Sequence, residues 1–245
     1  MRTAMNPVEK SIPPEINRFL QDQDLSALYQ SYTWKKDTYE NGFTDLFRLE
    51  KEISFAARHN SLGIGHLIDI AKWGQLPNTK QISWPEPNKL TLYVNDLPAP
   101  WLKIEPEKAI SVLERQIHGF GPTYASKLLH FAVPQIFGAL DTRLVRTFGK
   151  GDPDAQRYPF LNMTVTWSGN RWAILSYQPG WADEYGKWVG ILNYIANSLN
   201  KEGSLCHHPK KYVISGLRDD DSWLPADVET ALFSYASQEI KVKKQ

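Results

Sequence analysis

Apolar residues recur at three- and four-residue spacings through Leu25, Leu28 and Tyr32, and again through Phe43, Leu46, Phe47 and Leu49. That period predicts two helices between Leu25 and Ile53, each with one buried face. The same pattern predicts a helix over Leu62–Trp73, closed by Gly74 and Pro77. Between Gln81 and Pro100 four prolines flank the β-like run "KLTLYV", which ends at Asn95-Asp96, so a linker or a small hairpin is expected. Helical spacing returns in "EPEKAISVLERQ", where Pro106 suits a first turn because its missing amide hydrogen has no partner to lose there, and Gly119 ends that helix. Pro122 opens the next, through Ala125, Leu128, Leu129 and Ala132, until Pro134 stops it. The segment "TRLVRTFG" predicts a helix that ends at Gly149, and the alternation in "MTVTWSGNRWAILSY" around Ser168-Gly169-Asn170 predicts a β-hairpin. Helices over Trp181–Leu199 and Ala226–Ser237 complete the reading, with no internal repeat. The expected fold class is mainly α: two helical lobes plus a minor β element near Met163–Tyr177. Residues 1–103 read as an N-terminal helical lobe with a Pro-rich connector. Residues 104–150 carry the paired short helices, and residues 151–245 complete the lobes.

Composition changes this picture little. At 245 residues and 42% hydrophobic residues the chain can bury a sizeable core. A formal charge of +1, from 28 basic and 27 acidic residues, neither marks nor excludes a nucleic-acid partner, since a basic face can be balanced elsewhere. The single cysteine, Cys206, excludes an internal disulfide and leads to the expectation of a reduced compartment, the cytoplasm. No signal-like apolar core and no run near the roughly 20 apolar residues of a spanning helix is present, so no membrane partner is expected.

The stretch with most chemical content is "IHGFGPTYASKLLHFAVPQIFGALDTR", Ile117 to Arg143. Glycine accepts positive φ, so Gly119-Phe120-Gly121 lets the chain turn sharply between two helices and approach another molecule closely. The amides at the start of the second helix then form a site for an anion such as a nucleic-acid phosphate. The bland reading of the same residues is an ordinary helix–helix turn.

Taken whole, helix, "GFGPTYASKLLHF", break at Pro134 and "ALDTRLVR" resemble the helix-hairpin-helix DNA glycosylase superfamily, most of all divergent relatives of the 8-oxoguanine glycosylases, over roughly Ile104 to Gly149. The resemblance implies that Gly119, Phe120, Gly121 and Thr123 meet the DNA backbone and that Asp141 is the catalytic aspartate. In lysine-bearing members the nucleophile occupies the position of Thr123, eighteen residues before Asp141, and this chain has no amine there. The resemblance therefore implies a monofunctional enzyme that uses water. Lys127 lies one helical turn further along and can reach the same cleft, where it would contact phosphate, pair with Asp141 or act covalently. His130 follows at i+3 and reads best as packed and hydrogen-bonded. Asp141-Thr142-Arg143 replaces the Asp-Thr-His of endonuclease III-like members, and Arg143 and Arg146 are expected at phosphates or in salt bridges. No four-cysteine set exists to hold an iron–sulfur cluster, and no cofactor is expected.

The implied activity is hydrolysis of the N-glycosidic bond of a flipped, modified base in double-stranded DNA, by a monomer, leaving an abasic site. The first substrate expectation is an 8-oxoguanine-like purine. Excision of a hypermodified base from phage DNA, as antiviral defence, and a DNA-binding protein without chemistry are the alternatives. Trp73, Tyr124, Trp181, Tyr185 and Trp188 are candidates for the base pocket, although most read as core. Gly63-Ile64-Gly65 lacks the third glycine and preceding strand of a dinucleotide site. Cys206, His207 and His208 lack metal-ligand spacing, so no metal is expected. Asp219 to Asp221 read as solvated surface or as a cap for the helix after Pro225, and the terminal "KVKKQ" as a frayed basic tail.

Overall fold

The structure, a computed structural model, describes residues 12–85, 90–150, 158–167, 169, 171–219 and 221–242. Among these the fold is mainly helical, with eleven α-helices and three two-stranded antiparallel hairpins. Helix α1 (Pro14–Asp22) and α2 (Leu25–Gln30) come first, the latter capped by the Asp24 side chain, which accepts from Ala27 N at 3.0 Å. The apolar period through Tyr32 predicts more helix than forms. The chain leaves α2 at Gln30 and folds into a hairpin, β1 (Thr33–Trp34) with β2 (Asp37–Thr38), before α3 (Thr44–Arg58). Tertiary partners decide this. The buried Asp37 carboxylate accepts from Asp45 N at 2.6 Å and Trp73 Nε1 at 3.0 Å, and Trp34 Nε1 donates to Trp73 O at 3.3 Å.

Helix α4 (Ile64–Trp73) begins at Gly63, so the Gly63-Ile64-Gly65 run is a helix start. "KLTLYV" ends in the hairpin β3 (Tyr93–Val94) with β4 (Leu97–Pro98), turned through Asn95 and Asp96 at φ 51° and 60°. Short α5 (Trp101–Ile104) precedes the paired helices α6 (Pro106–Gln116) and α7 (Gly121–Ala132), with prolines in both first turns. Helix α8 (Thr142–Phe148) stops at Gly149. The hairpin β5 (Thr166–Trp167) with β6 (Trp172–Ala173) forms where the alternation placed it, while Ser168 and Asn170 of its turn lie outside the described residues. Helices α9 (Trp181–Lys201), α10 (Lys210–Ile214) and α11 (Pro225–Val242) follow.

Two helices organise the packing. Helix α7, buried from Ala125 through Ala132, packs on α3, α4 and α6, and α11, buried from Pro225 through Ser237, packs on α2, α8 and α9. The α2–α11 contact brings the N- and C-terminal segments together. A helix enclosed on all sides should be apolar all round. Both central helices break that rule, α7 with Lys127 and His130, α11 with Asp227 and Glu229.

Candidate functional site

The turn between α6 and α7 is built on two left-handed glycines, Gly119 and Gly121, both at φ +71°. Their surroundings differ. A Cβ on Gly119 would lie 2.4 Å from Gln81 O, because His118 and Ser83 exchange backbone hydrogen bonds of 3.0 and 3.2 Å that press the turn against the segment after Thr79–Gln81. A Cβ on Gly121 would meet open space. Gly121 is thus where another molecule can approach the backbone. Phe120 turns inward, only 2% exposed, with its ring 5.7 Å from that of Tyr124, so it can offer a ligand its backbone but not its ring. Thr123 is half-buried, and its carbonyl accepts from Ser126 Oγ at 2.9 Å.

Both glycines line an open cleft of about 690 Å³ that also receives the start of α9 at Gly180 and Trp181. Neither α7 nor α9 has a side-chain cap, so amides of both helix starts can be offered to an anion. The same rim carries Glu114, whose carboxyl is raised by burial and accepts from Trp181 Nε1 at 2.5 Å. It also carries Asp183.

Asp141 is held by the loop between α7 and α8. Ser126 Oγ accepts from Leu140 N at 3.0 Å, Trp188 Nε1 donates to Ala139 O at 3.0 Å, and Tyr185 Oη donates to Gly138 O at 3.4 Å. Tyr185 and Trp188, fully buried, therefore position the loop and do not face a ligand. Asp141 caps α8: its Oδ1 accepts from Arg143 N at 2.8 Å and Leu144 N at 3.2 Å. Its Oδ2 accepts no hydrogen bond among the described residues, and the side chain borders a cavity of about 20 Å³, enough for a water molecule.

That cavity joins residues far apart in sequence: Lys127 and His130 from α7, Asp141, Glu229 from α11, and the aromatic walls Trp34 and Trp73. Lys127 is 7% exposed, with Nζ 5.2 Å from the Trp73 ring centre and 5.3 Å from that of Tyr124, and it makes no hydrogen bond or ion pair among the described residues. Burial pushes its pKa down, and the Asp141 charge is the foremost influence pulling it back up. Tyr124, anchored by its hydroxyl to Gly74 O at 2.8 Å, is pushed up to about 12 by burial.

Glu229 is pushed well above the usual carboxyl range by burial first and by the Asp141 charge second, with Lys127 opposing. Burial drives His130 down to about 3. His130 Nδ1 lies 3.3 Å from Glu229 Oε2. Ala139 N donates to Nδ1 at 3.3 Å, so Nδ1 carries its lone pair and that lone pair is used by the backbone. His130 is packed and hydrogen-bonded, as its place beside Phe131 leads one to expect.

Sequence reasoning passes over Glu229 because it sits 88 residues from Asp141, inside a helix to which no chemistry is assigned. One signal exists: Asp227 and Glu229 are both carboxylic acids in a helix with no solvent face for its first thirteen residues. Asp227 has a partner, the buried Arg218, whose Nε donates to it at 3.0 Å and whose Nη2 donates to Glu50 Oε2 at 3.1 Å. Glu229 forms no ion pair with a lysine or arginine among the described residues, although Lys127 borders the same cavity.

The remaining candidates are engaged within the chain. Arg143 stacks on Trp34 and Phe233, 4.9 and 5.2 Å from the ring centres, and donates to Ser237 Oγ at 3.2 Å; Arg146 lies 4.7 Å over Trp172. Trp73 lines the Lys127 cavity, whereas Trp181 borders the glycine cleft. Asp221 faces His207 at 3.3 Å, and Leu224 N at the head of α11 donates to Asp227, not to the acidic cluster, of which Asp220 lies outside the described residues. Cys206, His208 and Asp227 bring donor atoms within 4.8 Å of one another. Protein groups already satisfy them: His208 Nε2 donates to Ser222 O at 2.8 Å, Asp227 binds Arg218, and burial raises the Cys206 thiol far above its ordinary value. No family model matches the chain, and neither a curated protein nor a solved structure matches it.

Proposed function

We propose that the protein is a monofunctional DNA glycosylase of the helix-hairpin-helix type, acting on a modified base in duplex DNA, with an oxidised purine as first substrate. The observation that carries this reading is the place of Asp141. Its carboxylate caps α8 through one oxygen, leaves the other without a partner among the described residues, and borders a water-sized cavity shared with Lys127. A carboxylate so held is suited to stabilise positive charge developing on a deoxyribose and to orient the attacking water. The open backbone at Gly121, at the start of the helix that carries Lys127, supports docking of a DNA phosphate there.

The absence of an amine at Thr123 supports hydrolysis over Schiff-base chemistry. At about 20 Å³ the cavity holds water and not a base, so a flipped nucleotide enters as the aromatic side chains part. The test is release of free base from duplexes carrying 8-oxoguanine, uracil, alkylated purines or phage-type modified cytosines, with strand nicking scored before and after alkali. Release that requires Asp141, with nicking only after alkali, is the expected result. Nicking without alkali, trapped by borohydride, would make Lys127 a nucleophile. Tight, salt-sensitive binding with no release would leave a DNA-binding protein.

A further inference from the structure

We propose that Glu229 is a second catalytic carboxyl of this site, a general acid that protonates the departing base while Asp141 serves the sugar and the water. The proposal rests on the glycosylase reading and adds to it a residue from α11. Glu229 and Asp141 border the same cavity, and the Glu229 side chain is 9% exposed. The fold makes room for it: a Cβ on Gly138 would fall 2.6 Å from Glu229 Cβ and 3.0 Å from its Cγ, so glycine at 138 is what lets the Glu229 stem lie against the Asp141 loop.

Two carboxyls at one site divide acid and base duties when their environments differ. They differ here. Asp141 takes two amide hydrogen bonds at a helix start, whereas Glu229 faces aromatic walls and the His130 ring, with burial and the Asp141 charge holding its proton. Around Glu229 stand Lys127 and His130 on α7, Asp141 before α8, Tyr32 after α2, and Tyr185 on α9, and Arg143 acts on Lys127.

The step balances. The C1′–N bond breaks and its electron pair withdraws into the base, which takes the Glu229 proton at a ring nitrogen or carbonyl oxygen. Water adds to C1′, and its proton passes to Asp141. The products are the neutral base and the abasic sugar. Transfer of that proton back to Glu229 through the cavity restores the starting state.

The test compares full-length wild type with E229Q, which keeps the shape of the side chain, in single-turnover base release across acid to alkaline pH on the duplexes above. Infrared difference spectra at neutral pH read the protonated-carboxyl band of Glu229 without any substrate. The proposal expects that band in wild type and its loss in E229Q, a release rate lower in E229Q by about 10²–10⁴-fold, and loss of the alkaline fall in rate that wild type shows. If E229Q releases base at the wild-type rate, or keeps the alkaline limb, that limb belongs to Lys127 and Glu229 is not the acid. A missing band in folded wild type overturns the proposal alone. No release by wild type from any duplex overturns the glycosylase reading and the proposal with it.

Discussion

Gly138 and Glu229 are in direct contact, with the hydrogen-bearing face of Gly138 turned toward the Cβ and Cγ of the glutamate and toward Leu192 Cδ1. A methyl group there would lie 2.4 Å from Leu192 Cδ1 and 2.6 Å from Glu229 Cβ, too close for any real contact. G138A should therefore cost about 1–3 kcal/mol through overpacking, read by urea denaturation. On the glycosylase reading it should also slow base release, because the displaced atoms belong to the site. A variant as stable as wild type would mean that α9 and α11 part easily.

Asp141 has two roles that substitution can separate. Asparagine caps a helix about as well as aspartate, so D141N should keep the stability of α8 while base release falls by about 10²-fold or more. D141A should lose the cap as well, about 1 kcal/mol. A D141N protein that binds DNA and still releases base at the wild-type rate would remove Asp141 from the mechanism.

Arg218 sits between Glu50 on α3 and Asp227 on α11, all three buried. The arginine is held well above even its own high range by the two carboxylates, against the burial that opposes its charge. R218M leaves both acids without their cation and should destabilise by about 3–5 kcal/mol in chemical denaturation. R218M with E50Q should recover part of that loss, since one uncompensated charge is removed.

His130 gives a pH dependence with a definite sign. Its folded-state pKa, about 3, lies below the 6.5 of the unfolded chain, so the unfolded state binds more protons between these values. The neutral ring contributes its stability fully above pH 6.5, and that contribution falls as pH drops toward 3, at up to about 1.4 kcal/mol per pH unit. H130Q should flatten this slope in denaturation curves taken through the acid range. An unchanged slope would place the acid sensitivity elsewhere.

The two hairpin glycines should respond differently to alanine. Both pay left-handed strain of about 1–2 kcal/mol, but only G119A also strikes Gln81 O and disturbs the Ser83–His118 bridge. G119A should be the less stable of the pair in thermal melts. G121A adds its methyl in open space, and on the glycosylase reading it should weaken duplex binding while leaving the fold intact. Equal binding by G121A and wild type at several salt concentrations would take the turn out of the DNA contact.

The sequence by itself determined the elements whose signals are local. Pro106 and Pro122 start α6 and α7, Gly149 ends α8, and alternation around Gly169 makes a hairpin, because each depends on the backbone chemistry of a few neighbouring residues. Tertiary structure decided what local pattern cannot encode. The period through Tyr32 runs on past the end of α2, yet the Asp37 and Trp34 contacts with Trp73 turn the chain into a hairpin. Lys127 and Asp141 are legible as candidates, since they lie within one short motif. Glu229 is not, because acids in the first turns of a helix read as a solvated edge until packing shows them enclosed. Its cavity is closed by side chains from α3, α4, α7 and α11 together, and the burial and neighbouring charge that hold its proton there are properties of that assembly, absent from any one helix alone.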